Sequence, residues 1–349
     1  MKKIIILIPD ISKSGGTERA TINLANMLVK DYEIEIISFH NLQNAVTTFY
    51  DLDSRVKLIS FKLSLKSTML NSIVNYISLR NYLKQTNFNF LIGTWYGANI
   101  MLPFFKSKNV KVIGCEHADF ENSPSIIKKI AKKLYPKLDA LVVLSDVAKQ
   151  KMLCYTSKTV VIPNSLPFVA KETSSLENNR ILMLGRLVPV KAYERVIPLG
   201  IYLHQEYPDW KIDIFGDGDL RDDLIQKIKQ HNLNNINIYQ ATKNIEKEYL
   251  NSSIYLSTSI TEAMPMVFLE AMSCGVPVIS YYNEGAACLI SENQDGIMVN
   301  NEEELKSAIK NLIDNVTLRK SLGIKGKEKS LYYTEENIKK LWLKLLNGL

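Results

Sequence analysis

Short apolar runs alternate with amphipathic stretches along the whole chain. Residues 2–9, 33–39, 90–94, 110–115, 140–144 and 160–163 are dense in β-branched and bulky apolar side chains, the pattern of strands buried on both faces. Between them lie helical periods, carried by Ile22, Leu24, Ala25 and Leu28, then by Leu70, Ile73, Val74, Ile77 and Leu83 over residues 67–84. The alternation restarts at Arg180-Ile-Leu-Met-Leu-Gly185 and continues through 210–215, 237–240, 254–257, 277–280 and 296–299. Helices are expected at 219–231 and at 335–349, the latter on Ile338, Leu341, Trp342 and Leu345. Two successive β-then-α series predict an α/β fold with two parallel sheets. Residues 166–179, rich in Pro, Ser, Thr, Glu and Asn and without periodicity, read as the linker between them.

A length of 349 residues fits two domains with ample apolar content for two cores. The four cysteines, Cys115, Cys154, Cys274 and Cys288, are widely spaced, and the first three fall in or beside apolar runs, so buried thiols in a reducing compartment are expected and no metal cluster. The run 4–8 is too short for a signal peptide, and no apolar stretch is long enough to span a bilayer, which predicts a cytosolic protein. The net charge of +7 is unevenly placed: residues 1–170 hold 22 Lys/Arg against 12 Asp/Glu, whereas residues 171–349 hold 21 against 24. The basic first half points to an anionic partner surface, membrane or nucleic acid. Within it, residues 125–138 place Ile126, Ile127, Ile130 and Leu134 on one helical face. Lys128, Lys129, Lys132 and Lys133 lie on the other, a pattern suited to an anionic membrane interface or to a solvated domain helix.

The stretch 261–279, Thr-Glu-Ala-Met-Pro-Met-Val-Phe-Leu-Glu-Ala-Met-Ser-Cys-Gly-Val-Pro-Val-Ile, reads as loop, short helix and next strand. Pro265 suits the first helical position, and Gly275 with Pro277 gives the stop signal. The free amides of Met266, Val267 and Phe268 would suit a phosphate. Glu270, one turn inside, would accept hydrogen bonds from a ligand diol, and Glu262 stays in the loop at a strand's carboxyl end, where open sheets bind ligands. Arg186, directly after a strand, and Lys191 are placed to clamp a diphosphate. Gly15-Gly16 opens the first helix, though not as G-x-G-x-x-G, and His117 follows a strand end. Gly216-Asp-Gly218 reads as a turn rather than a metal motif.

Taken together, Gly15-Gly16, Glu116-His117, Gly185-Arg186 with Lys191, Gly216-Asp217-Gly218 and Glu262-x₇-Glu270 resemble the glycosyltransferase family 4 pattern of retaining GT-B enzymes, over nearly the whole chain. The resemblance implies two Rossmann-like domains facing across a cleft. These are an acceptor-binding domain over 1–165, a nucleotide-sugar-binding domain over 172–334, and a helix, 335–349, that crosses back to the first. It implies that Arg186 and Lys191 hold the donor diphosphate, Glu270 the ribose, Glu262 the transferred sugar, and Thr242-Lys243 the base. His117 would lie near the sugar's C6 hydroxyl and reacting centre, and Gly16 near the phosphates. Catalysis would then need no metal and no cofactor beyond the nucleotide-sugar co-substrate, because two cations and a helix N-terminus can stabilise the departing diphosphate. Cys288 stands where many relatives carry a glutamate, and Asn164-Ser165 replaces the common Asn-Gly.

The segment Tyr281-Tyr-Asn-Glu-Gly and the first-half pattern look most like bacterial members acting on lipid-linked saccharides in surface-polysaccharide, O-antigen or capsule assembly. The expected donor is UDP-linked galactose, N-acetylgalactosamine or glucose. The expected acceptor is a lipid-linked oligosaccharide at the cytoplasmic face of an anionic inner membrane, with Lys128, Lys129, Lys132 and Lys133 as the contact. A nucleotide-sugar 2-epimerase shares the fold and needs no acceptor. Nucleic-acid binding would explain the charge but leaves the Arg186, Lys191 and Glu270 spacing to chance, and no recognisable nucleic-acid motif is present.

Overall fold

The continuous apolar runs become strands buried on both faces. The computed structural model describes all residues except 40–46, 62–67 and 118–119, with the backbone alone over 68–73. Two units result, Met1–Ser165 with Glu335–Leu349, and Leu166–Thr334.

In the first unit, β1 (Lys3–Ile8), β2 (Glu33–Ser38), β3 (Lys57–Ser60), β4 (Phe90–Gly93), β5 (Lys111–Glu116), β6 (Ala140–Val143) and β7 (Thr159–Val161) form a parallel sheet in the order β3-β2-β1-β4-β5-β6-β7. Ile4, Ile6 and Ile8 face one core with Ile22 and Leu28 of helix Gly16–Leu28; Ile5 and Leu7 face the other with Leu79 and Leu83. Each fully buried side chain of this kind contributes ~1.5–3 kcal/mol, so β1 is fixed by packing on both sides. The edge strand β3 escaped the sequence reading because its residues are only half-buried and lack a dense apolar run. In helix Thr68–Lys84, Ile77 is exposed and, among the described side chains, the buried apolar positions are Leu79 and Leu83; Leu70 and Ile73 lie outside the described side chains. Helix Glu335–Gly348 packs on the first unit through Ile338, Trp342 and Leu346, with Leu341 exposed and Lys339 paired to Asp31 at 2.6 Å.

In the second unit, β8 (Arg180–Leu184), β9 (Lys211–Phe215), β10 (Ile236–Tyr239), β11 (Ile254–Ser257), β12 (Val278–Tyr281) and β13 (Gly296–Val299) are likewise parallel, in the order β10-β9-β8-β11-β12-β13. In both sheets the order reverses beside the opening strand, at β1/β4 and at β8/β11. Successive crossovers leave such a point in opposite directions and open a crevice at the carboxyl ends, where α/β sheets bind ligands.

Three expectations are corrected. Residues 166–179 are irregular but not a free linker: Leu166, Ala170 and Leu176 are buried, Ala170 N–H donates to Ser273 Oγ at 2.9 Å, and Ser174 Oγ donates to the Ser252 carbonyl at 2.7 Å. The basic helix ends at Leu134, and Pro136 turns the chain into a tight 3₁₀ turn at Tyr135–Lys137. Cys115 and Cys274 are buried, but Cys154, past the end of helix Asp146–Met152, is exposed. Among the described residues no helix is long and apolar enough to cross a membrane.

Candidate active site

The reversal point of the second sheet gathers the polar residues. β8 ends at Leu184 and is followed by Gly185, whose φ of +149° is open to glycine and strained for other residues. The turn after it interlocks with the turn after β9: Gly185 N–H donates to the Phe215 carbonyl at 3.1 Å and Leu187 N–H to the Asp217 carbonyl at 2.9 Å. A β-carbon on Gly216 would collide with the Gly185 carbonyl. The Gly216-Asp217-Gly218 turn therefore braces the turn that presents Arg186, whose guanidinium is exposed and forms no ion pair among the described residues.

Lys191, in the 3₁₀ turn Pro189–Lys191, and Glu262, in the loop after β11, form an ion pair, with side chains 21% and 16% exposed. Three further ties fasten the Glu262 loop. Thr258 Oγ1 donates to the Lys191 carbonyl at 2.7 Å, Ile260 N–H to the Val190 carbonyl at 2.9 Å, and Arg195 to the Thr258 carbonyl at 3.2 Å. From the other side Asn283, which caps helix Glu284–Leu289, donates to the Ser259 carbonyl at 3.2 Å, and Gly285 has no β-carbon to collide with the Glu262 backbone. The pair is thus preorganised: its two backbones move as one piece.

Helix Met266–Ser273 begins one residue later than expected, with Pro265 at its N-cap. Phe268 is not a phosphate donor, because its N–H is taken by the Pro265 carbonyl at 3.1 Å; the amides of Met266 and Val267 have no acceptor among the described residues. Val267 lines a crevice with Lys191, Tyr193, Tyr255, Ser257, Thr258, Ser259 and Glu262. Glu270 is fully buried, and the Tyr249 hydroxyl lies 2.9 Å from both its Oε2 and the Val267 carbonyl oxygen. Thr242 and Lys243 follow the edge strand β10, two strands away from the β8/β11 crevice, and Thr242 Oγ1 accepts the Asn244 N–H at 3.1 Å.

In the first unit Gly15 caps helix Gly16–Leu28 and Gly16 is its exposed first residue, at the carboxyl end of β1; the preceding Ser14 carbonyl accepts from the Tyr50 hydroxyl at 3.0 Å. His117 follows β5. Burial lowers its pKa to about 4, with Asn164 pulling the other way, so the imidazole is neutral at physiological pH. Its neighbour Glu116 is buried and accepts hydrogen bonds from Asn99 Nδ2 at 2.8 Å and from the Tyr135 hydroxyl. Burial raises this carboxyl to about 7 against those two bonds. The folded state then keeps a proton that the unfolded chain, titrating near 4.5, releases, so this group costs stability as pH rises from about 4.5 to 7. His117 has the opposite sense, a penalty that grows as pH falls from 6.5 to about 4, but it is common to wild type and variant. Glu116→Gln is expected to gain melting temperature relative to wild type between about pH 5 and 8; a difference that does not change with pH would contradict the assignment.

On helix Ser125–Leu134, Lys129, Lys132 and Lys133 are exposed, whereas Lys128 is turned onto Glu121, at 3.6 Å from its carboxylate and bonded to its carbonyl. Lys128 is thereby removed from the free lysine face. Ile126 is 62% exposed and only Ala131 of this helix is buried, so its apolar face is incompletely covered by the domain.

The sequence reading missed Tyr193, Arg195, Asn283 and Gly285. Asn283 carried a legible signal, an N-cap residue before Glu-Gly-Ala-Ala; Arg195 and Tyr193 carried none, since only the fold brings them to the β11 loop. Among the described residues no group of three His, Cys, Asp or Glu is placed to hold a metal.

Two family models account for most of the chain. The model Glycosyltransferase Family 4 matches residues 14–167, and Glycosyl transferases group 1 matches residues 167–329. With two parallel Rossmann-like sheets, these matches define a glycosyltransferase of the GT-B fold. The chain belongs to glycosyltransferase family 4, group 1. It is 29% identical over 363 residues to a Campylobacter jejuni alpha-1,4-N-acetyl-D-galactosaminyltransferase named for a diNAcBac-PP-undecaprenol-linked acceptor, covering 99% of this chain and 98% of the relative. The amylovoran biosynthesis glycosyltransferase of Erwinia amylovora is 27% identical over 364 residues, 99% of this chain and 100% of its own. An Anabaena protein crystallised with UDP and glucose shares the fold at a TM-score of 0.82, with 17% identity and 100% of both chains covered.

Proposed function

We propose that this glycosyltransferase is metal-independent and retaining, and that it moves a hexose or N-acetylhexosamine from a UDP-sugar to a lipid-linked saccharide at an anionic membrane surface. The observation that carries the reading is the Lys191–Glu262 pair, held at the β8/β11 reversal point in a crevice that Val267, of the first turn of helix Met266–Ser273, also lines. In this reading the diphosphate takes Lys191 from Glu262, Arg186 adds a bidentate donor, and the freed Glu262 carboxylate turns to the hydroxyls of the transferred sugar. As the glycosidic C–O bond breaks, its electron pair goes to the phosphate oxygen, and the two cations with the helix amides stabilise that charge in place of a divalent ion. Glu270 holds the ribose once the Tyr249 hydroxyl yields its bond, and Thr242 and Lys243 lie at the base. Retention is supported by the alpha linkage in the name of the Campylobacter relative: a UDP-sugar is alpha-linked, and alpha to alpha is retention.

The acceptor side rests on the first unit. Gly16 and neutral His117 sit at strand carboxyl ends, and the helix Ser125–Leu134 offers Lys129, Lys132, Lys133 and exposed Ile126 to a headgroup layer. In this reading the protein works as a peripheral enzyme at the cytoplasmic face, where each surface cation contributes about 1 kcal/mol. The test is a panel of UDP-galactose, UDP-N-acetylgalactosamine and UDP-glucose with an undecaprenol-diphosphate-linked saccharide in vesicles, with and without EDTA. UDP release that requires the acceptor, gives an alpha-linked product, survives EDTA and falls when anionic lipid is left out or Lys129, Lys132 and Lys133 become alanine is the expected outcome. Loss of activity in EDTA, a beta-linked product, or acceptor-independent conversion of the nucleotide sugar to its 2-epimer would each contradict it.

A further inference from the structure

Tyr193 stands beside the Lys191–Glu262 pair and shares its crevice. The residue is 4% exposed. Its hydroxyl lies 3.0 Å from the point where a β-carbon on Gly185 would stand, and Lys191 Nζ lies 4.0 Å from the same point. The missing β-carbon of Gly185 thus leaves a space onto which a phenol and an ammonium converge. The other hydroxyls around this crevice are engaged: Thr258 Oγ1 with the Lys191 carbonyl at 2.7 Å, Ser257 Oγ with Ser259 Oγ at 3.4 Å, and Tyr255 with the Leu184 carbonyl at 3.3 Å. The Tyr193 hydroxyl makes no hydrogen bond to any described residue.

The hydroxyl oxygen is not sealed from solvent and makes no bond among the described residues, so its donor is free for a group that enters the crevice. Burial, then the carboxylate of Glu262, push its ionisation well above the usual tyrosine range, so it keeps its proton and can only gain by donating it to an anion.

We propose that Tyr193 is a further donor-contacting residue: its phenol donates a hydrogen bond to a non-bridging oxygen of the phosphate next to the transferred sugar, beside Lys191. This role presupposes that the Lys191 crevice holds the diphosphate. The proton stays on the tyrosine throughout; when the bond from sugar to phosphate oxygen breaks and its electrons move onto the diphosphate, the hydrogen bond strengthens with the growing charge. Lys191 and Arg186 supply net charge, and Tyr193 supplies direction, because its ring is fixed by packing around the carboxyl end of β8.

The test is Tyr193→Phe, which keeps the ring and removes only the hydroxyl. Calorimetric titrations with UDP and with UMP, which lacks the second phosphate, read the contact directly. UDP affinity is expected to fall by about tenfold or more while UMP affinity stays within about twofold. Turnover of the UDP-sugar falls at least as much as UDP affinity, and the melting temperature stays close to that of wild type because the hydroxyl makes no bond among the described residues. Unchanged UDP affinity, or equal weakening of UDP and UMP, would overturn the role. Lys191→Ala separates the two levels. If it leaves UDP affinity intact, the diphosphate reading of the crevice fails; if it abolishes UDP binding while Tyr193→Phe behaves as wild type, only the Tyr193 role fails.

Discussion

Lys191→Ala should lower transfer from a UDP-sugar by about 10²- to 10³-fold and weaken UDP binding by about tenfold or more, with little change in melting temperature. Two effects combine. In the proposed mechanism the ammonium that meets the diphosphate is lost, and Glu262, only 16% exposed, is left facing the same diphosphate as an uncompensated carboxylate. Attraction is thereby replaced by repulsion at one point in a partly desolvated crevice, where charges act more strongly than in water. Arg186 cannot take over, because the interlocked turns of Gly185–Leu187 and Gly216–Gly218 fix the backbone that carries it. The fold should tolerate the change, since the ties between the two loops run through the Lys191 and Val190 carbonyls, which the substitution leaves in place. Initial rates of UDP release, titration and thermal melting together check this; wild-type turnover in Lys191→Ala would remove the pair from the centre of the mechanism.

Glu262→Gln is the sharper counterpart. With the carboxylate neutralised, Lys191 no longer has a competing anion, so UDP affinity should stay level or increase. Turnover falls by about tenfold to a hundredfold, because the sugar loses a charged hydrogen-bond acceptor. Glu270→Gln should do the reverse. Its carboxylate is fully buried, bonded to a Tyr249 hydroxyl that also reaches the Val267 carbonyl at the start of the phosphate-facing helix. In the proposed role, neutralising it weakens both the ribose contact and the placement of that helix, so UDP affinity is expected to fall by about tenfold and turnover at saturation to change less. These two outcomes would separate the glutamates, eight residues apart, into one that competes for the diphosphate's cation and one that supports the nucleotide.

The strands were legible because parallel sheets covered on both faces demand unbroken apolar runs, and β1, β5 and β11 are such runs. The edge strand β3 was not, because an edge needs no such run. Residues 166–179 looked like a linker for the same reason in reverse: their buried Leu166, Ala170 and Leu176 are too sparse to show a period, yet they pack on the second unit. Among the candidate residues, the positions of Arg186, Lys191 and Glu262 in the turns after β8 and β11 were legible from residue type and spacing, whereas Glu270 lies fully buried inside helix Met266–Ser273. That Lys191 and Glu262 would meet was not, since they are 71 residues apart and only the adjacency of β8 and β11 joins them. Lys128 and Phe268 were misplaced by periodicity and by counting helix amides, because neither method sees Glu121 or the Pro265 carbonyl. Tyr193 lies outside any pattern of spacing; its significance is an unpartnered hydroxyl, which only coordinates reveal.

The most direct measurement of the central claim, that Glu262 holds Lys191 until the diphosphate takes it, is the calorimetric titration of UDP into wild type, Glu262→Gln and Lys191→Ala under one buffer. Equal or tighter binding by Glu262→Gln and a loss of about tenfold or more in Lys191→Ala are expected. Weakening of UDP by Glu262→Gln to the level of Lys191→Ala would contradict it, because Glu262 would then support the diphosphate site instead of competing for its cation.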